Sequence, residues 1–203
     1  MRYGVSGEGS DIAFYAAQLV PNDALTNLTD GLVYATPYQL LGFGMNKAFD
    51  DYLLKFDVAY KHNLQHNRLG QFIKTDRIDW DLAFDIQKND RTILLSINSQ
   101  YLLDFYDDYL TPTLVSSVSA KKNNMTYMLR INDKFGDSNW IWNASHSILS
   151  NNDLSLTTAG IDWDINDNWK VSLGGVYADA KPNRALSILD EYQRLSLEVN
   201  FQY

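Results

Sequence analysis

The sequence predicts an all-β fold, an up-and-down antiparallel transmembrane β-barrel of about 11–12 strands. Three observations predict it. Apolar and polar residues alternate with period two in segment after segment. Polar connections, by turns short and long, separate those segments. The last residues before the end show the most regular alternation of all.

The clearest strand sets Ile78, Trp80, Leu82, Phe84 and Ile86 against Asp79, Asp81, Ala83, Asp85 and Gln87. Before it, Tyr52, Leu54, Phe56, Val58 and Tyr60 alternate with Leu53, Lys55, Asp57, Ala59 and Lys61. Later, Ile161, Trp163 and Ile165 alternate with Asp162 and Asp164, and Trp169, Val171 and Leu173 with Lys170 and Ser172. A helix would repeat its apolar residues at spacings of about three and four, and these segments do not. Segments of about 10–13 residues also suit a tilted strand crossing a bilayer.

Short polar connections fall at residues 8–10, 46–51, 88–91, 132–138 and 166–168, and longer ones at 20–32, 62–75, 104–112 and 181–191. Short turns on one side and long loops on the other suit an up-and-down barrel, although the connection at 150–153 is short where a long one is due. Residues 113–131 read either as one long bulged strand, giving about eleven strands in all, or as a hairpin turning at 121–124, giving about twelve. The first reading is preferred. Bacterial single-chain barrels have even strand numbers, so an odd count implies further strands upstream. The expected organisation is one β-barrel domain over residues 1–203, or the carboxy-terminal part of a larger barrel.

Composition narrows the function classes. There is no cysteine, which excludes disulfides, thiol catalysis and thiolate metal sites. The net charge of −8 with no block of Lys or Arg argues against nucleic acid as a partner. No apolar run of about 18 residues exists for a transmembrane helix. The mean hydropathy of −0.30 decides nothing, because a polar lumen dilutes the lipid-facing residues of a barrel. Met1–Val5 lacks the basic and apolar regions of an export signal, so a processed or engineered chain, or a piece of a longer one, is expected.

On this assignment Lys55, Asp57, Lys61, Asp79, Asp81, Asp85, Arg130, Asp162, Asp164, Lys170, Arg194 and Glu198 line the lumen. Seven are acids and five are bases. That excess fits a mildly cation-selective channel, and equally a hydrated, salt-bridged lumen that conducts nothing. Asp79 and Asp81, about 7 Å apart along one strand face, are too distant to share a proton or a compact metal shell. His62 and His66 in a loop, and Asp104, Asp107 and Asp108 beside Phe105, Tyr106 and Tyr109, read as ordinary loop residues before metal ligands. Ser145-His146-Ser147 cannot converge as a catalytic group, since neighbours on a strand point to opposite faces. No catalytic residue, metal ligand or cofactor is expected, and no enzyme. Aromatics such as Trp140, Trp142, Trp163 and Trp169 stand near strand ends, as interfacial girdles do.

The ending Leu195-Ser196-Leu197-Glu198-Val199-Asn200-Phe201-Gln202-Tyr203 resembles the terminal strand of Gram-negative outer-membrane proteins. The resemblance implies that Leu197, Val199, Phe201 and Tyr203 form a signal read by the barrel-assembly machinery, with Tyr203 where Phe is commoner. Residues 40–60, and residues 161–170 with the strand after them, resemble porin-like barrels related to alginate exporters, whose greater length would make this chain a carboxy-terminal half. The resemblance implies an outer-membrane location, contact with lipid and lipopolysaccharide, and as partners other envelope proteins or a missing barrel half. It implies a channel or export porin for small or hydrophilic solutes. A non-conducting structural or ligand-binding outer-membrane barrel, and a soluble β-barrel binder, are the alternatives.

Overall fold

The computed structural model describes residues 1–20, 25–26, 33–34, 36–68, 71–105, 109–112, 117–119, 121–135, 139–150, 154–181 and 189–201. They form fifteen strands: β1 (Arg2–Gly7), β2 (Ser10–Leu19), β3 (Leu25–Thr26), β4 (Val33–Tyr34), β5 (Tyr38–Phe49), β6 (Tyr52–Arg68), β7 (Gln71–Lys88), β8 (Arg91–Leu102), β9 (Tyr109–Pro112), β10 (Ser117–Ser119), β11 (Asn123–Lys134), β12 (Trp140–Leu149), β13 (Leu154–Asn166), β14 (Trp169–Ala180) and β15 (Tyr192–Phe201). Eleven of them follow one antiparallel up-and-down path, β1-β2-β5-β6-β7-β8-β11-β12-β13-β14-β15. The fold is all-β as the alternation predicts, and the path has the eleven strands of the preferred reading.

Turn chemistry holds the hairpins. Gly9, Asp50 and Asn89 take φ values of +64°, +44° and +54°, the left-handed backbone that two-residue hairpin turns require. Asn166 caps its own turn, its Oδ1 accepting from the backbone N–H of Asn168 at 2.9 Å and of Trp169 at 3.0 Å.

Several expectations need correcting. Residues 62–75 are not a long loop, because β6 runs on to Arg68 and β7 begins at Gln71. The polar residues there pair their backbones as a strand, with Asn63 at φ +61° breaking the alternation. His62 and His66 are therefore strand residues. Residues 113–131 are neither one strand nor a hairpin at 121–124. Ser117–Ser119 pairs with Tyr109–Pro112 beside the main path, and β11 starts anew at Asn123. The segments read as loops at 20–32 and 104–112 hold β3 and β9. β3 pairs with β4, and β9 also pairs with the end of β6 through Asn67↔Leu110 and Arg68↔Tyr109. The described part of 181–191 is too short to test as a loop, and 151–153 lie outside the described residues. β1 and β15 end the path, and among the described residues no ladder joins them.

Contacts group the chain into two compact units. One comprises Met1–Ala48, Leu54–Leu82 and Asn98–Met125; the other comprises Phe49–Leu53, Ala83–Ile97 and Thr126–Tyr203.

A two-faced sheet as the candidate functional site

In the first unit, register sorts side chains by face. Arg2↔Tyr15↔Gly42, Gly4↔Ala13↔Gly44 and Ser6↔Asp11↔Asn46 form three rows on one side. Tyr3↔Phe14↔Phe43 and Val5↔Ile12↔Met45 form rows on the other. The second side is apolar, and Tyr3, Val5 and Phe14 on it are half exposed or more. Its rings touch, with Phe14 and Phe43 centroids 5.2 Å apart and Phe43 and Phe56 6.4 Å apart.

The first side is polar and holds a cavity of about 570 Å³ lined by Arg2, Asp11, Tyr15, Asn46 and Asp57 over Gly44. Two glycines clear its floor. A Cβ on Gly42 would overlap the ring of Tyr15, and one on Gly44 would overlap the Asp57 carboxylate. Tyr15 thus lies flat across the neighbouring strand, the way an aromatic covers a bare glycine in a sheet. Gly42→Ala is expected to destabilise the fold by about 1–3 kcal/mol, the usual cost of overpacking. The same change beside Tyr15→Ala should cost far less, and urea unfolding of the four variants measures the coupling.

Further along the same unit, Lys61, Arg77 and Asp79 meet. Lys61 Nζ lies 2.6 Å from Asp79 Oδ2. Arg77 Nη2 donates to Asp79 Oδ2 at 2.8 Å, while its Nε, 2.7 Å from Oδ1, is too poorly aligned to donate. All three side chains are 18% exposed. Lys61 also sits 6.0 Å over the Tyr38 ring. Asp81, two residues from Asp79, and Lys55, two from Asp57, follow them by alternation. A second group surrounds Asp76: it accepts from Tyr60 Oη, its Oδ1 is 2.9 Å from His62 Nδ1, and it takes the Asn63 backbone N–H at 3.1 Å. These bonds hold the Asn63 irregularity.

The second unit shows the two faces at greatest length. Ladders carry Arg130↔Ser145↔Thr158↔Val176↔Arg194, and Asp162↔Ser172↔Glu198, across one face. Asp164↔Lys170↔Asn200 follows. Six predicted residues therefore share a face. Lys170 bridges to Asp162 at 3.2 Å, and Asn200 donates to Glu198 at 3.0 Å. At the end of this face far from the turns, Leu154, Ala178 and Ala180 are buried against Leu149, Leu156 and Leu189. Asp85 is opposite in parity to Phe84, which stacks on Tyr52 at 5.6 Å.

The other face of this unit is mainly apolar, with Asp133 beside Trp142 and the more polar row Leu129↔His146↔Thr157↔Tyr177↔Gln193 toward the far margin. Trp142↔Ile161↔Leu173↔Leu197 and Ala144↔Ala159↔Gly175↔Leu195 run through its middle. Aromatics mark the margin at the turns: Trp140 and Trp163 stack at 4.8 Å and 4°, and Trp169 meets Phe201 at 4.8 Å. Tyr177 stands toward the far margin, followed on its strand by Asp179. The face is open, with Leu173 45%, Leu195 78% and Leu197 70% exposed. Of the residues expected as an assembly signal, Leu197, Val199 and Phe201 lie on this face, and Tyr203 lies outside the described residues.

Sequence reading missed Arg77, Tyr15 and the Gly42–Gly44 pair. Arg77 has the parity of Asp79 and Asp81, so extending that strand back by one residue would have found it. No group of three His, Cys, Asp or Glu residues that could hold a metal exists among the described residues. No protein-family model matches the chain, and no curated protein matches it.

Proposed function

We propose that this chain is part of an outer-membrane channel of a Gram-negative bacterium, passing small or hydrophilic solutes along its polar, mildly acidic face. The observation that carries the reading is the exposed apolar face of β11–β15, bounded by aromatics. An apolar surface this continuous demands an apolar neighbour. From Trp169 to Tyr177 it covers about 26 Å of strand, or about 20 Å of height at the usual barrel tilt, near the apolar band of about 25 Å of outer-membrane barrels. The opposite face carries charged residues, as a water-filled lumen does. Lipid and lipopolysaccharide are the partners proposed for the apolar face, and the barrel-assembly machinery for Leu197, Val199, Phe201 and Tyr203.

The test has two stages. Refolded in detergent, the unboiled chain should migrate faster than the boiled one on a gel; a chain folded and soluble without detergent would refute the reading. In planar bilayers it should conduct and prefer cations. Asp57→Lys, on the exposed polar face, should move the reversal potential toward anions. A second reading, a barrel that does not conduct, draws on the Lys61–Arg77–Asp79 and Lys170–Asp162 bridges that tie charges together on that face. It predicts the gel shift without conductance.

A further inference from the structure

Within the first unit, the polar cavity is built from three rows of paired residues on β1, β2 and β5. The middle row, Gly4↔Ala13↔Gly44, is bare, and it lies between Arg2↔Tyr15↔Gly42 and Ser6↔Asp11↔Asn46. The cavity of about 570 Å³ thus has a floor of small residues and polar walls. Glycine inside a strand weakens it and often marks the close approach of a ligand. Gly44 has a reason within the fold, since a Cβ there would overlap the Asp57 carboxylate. Gly4 has no such reason. Its backbone is not left-handed, and a Cβ would meet only the Ile12 carbonyl oxygen at an ordinary 3.5 Å. Its effect is to keep the floor bare.

The charges around this floor are unlike those elsewhere, which pair, as Lys61 and Arg77 do with Asp79. Among the described residues, no hydrogen bond or ion pair engages the side chains of Arg2, Asp11, Asn46 or Asp57, all of which line the cavity. They are also separated by sign. The Asp57 carboxylate lies over Gly44, two strands and two residues from Arg2, a backbone separation of about 12 Å at usual strand spacings. Asp11 is one strand and four residues from Arg2, about 14 Å on the same spacings. Asp11 and Gly44 are only about 8 Å apart by the same reckoning. One cation therefore stands at one corner, and two carboxylates stand together across from it.

We infer that this cavity binds a short zwitterionic peptide of dipeptide size, its carboxylate on Arg2 and its ammonium between Asp11 and Asp57. A guanidinium holds a carboxylate by two parallel hydrogen bonds, and an ammonium has three donors to divide between two carboxylates. Asn46 offers the peptide bond both a donor and an acceptor. Two extended residues span about 7 Å, and the Arg2 side chain covers the remaining distance. A single amino acid carries both charges on one Cα and is too short. A neutral saccharide leaves both signs uncompensated, and a simple amine leaves Arg2 without a partner. The inference names a solute for the polar face of the channel reading, and rests on that reading only for the solute's passage, since binding needs no pore.

The full chain, refolded in detergent, is titrated calorimetrically with dialanine, which should bind saturably at one site. N-acetyl-dialanine lacks the ammonium and dialanine amide lacks the carboxylate. Each should bind about ten- to a hundredfold more weakly, the usual worth of a hydrogen bond to a charged group. In Arg2→Gln, dialanine and its amide should bind alike. In Asp11→Asn with Asp57→Asn, dialanine and its N-acetyl form should bind alike. Gly4→Leu should abolish binding and keep the β-type circular dichroism, because the new side chain enters open space. No saturable binding of dialanine, equal binding of either capped form to the unsubstituted chain, or equally tight binding of a neutral disaccharide would overturn the inference. Those three results need no variant to fold. A chain that is soluble without detergent and binds dialanine would refute the channel reading and leave this inference standing; conductance without binding would do the reverse.

Discussion

Leu173→Arg is expected to cost about 2–4 kcal/mol of folding stability in lipid vesicles, the penalty for a cation near the middle of the lipid-facing surface of a barrel. Leu173 stands in the row Trp142–Ile161–Leu173–Leu197, between the aromatic margin at Trp163 and Trp169 and the tyrosine at 177. Its side chain is 45% exposed, so in water the same substitution would be nearly neutral, since surface changes usually stay within about 0.5 kcal/mol. The size of the effect thus reports the solvent of this face. Ser172→Arg, one residue away on the polar face between Asp162 and Glu198, is the control and should cost little. Urea unfolding of the three proteins from vesicles measures both values. Equal, small losses would mean that the apolar face meets water.

How far the fold was legible depends on how local its cause was. Alternation is local, so the strands around Trp80, Trp163 and Leu197 could be read directly, and turns built on Asp50, Asn89 and Asn166 announced their ends. The 62–75 segment failed for a local reason too. Asn63 takes a left-handed conformation and many of its neighbours are polar, so the apolar period fades where the strand continues. Other features depend on neighbours far along the chain. Nothing near Gly42 or Gly44 says that a tyrosine at 15 and an aspartate at 57 will lie over them. Of the twelve residues assigned to one polar surface, six are carried to a common face by the ladders of β11–β15, because period two is enough to sort faces. Which charges pair was beyond it: register decides that Asp79 meets Lys61 and Arg77 while Asp162 meets Lys170.

Asp79→Asn should lower stability by about 3 kcal/mol, at the low end of what breaking a buried ion pair costs. The reason is what it leaves behind. Lys61 and Arg77, each 18% exposed, would face one another across a neutral amide, and two cations with little water would have lost their shared partner. The Tyr38 ring 6.0 Å from Lys61 offers only weak compensation. Salt should recover little of the loss, since groups this enclosed are poorly screened. The orphaned cations are the cause of the loss, so removing them must repair the damage. Lys61→Met with Arg77→Met in the Asp79→Asn background should restore most of the stability, because apolar replacement of a whole buried ionic group is often close to neutral. Denaturant unfolding of the single and triple variants decides it. A triple variant weaker than Asp79→Asn alone would mean that the cations serve another partner on this face, and that the trio is one corner of a wider charge network.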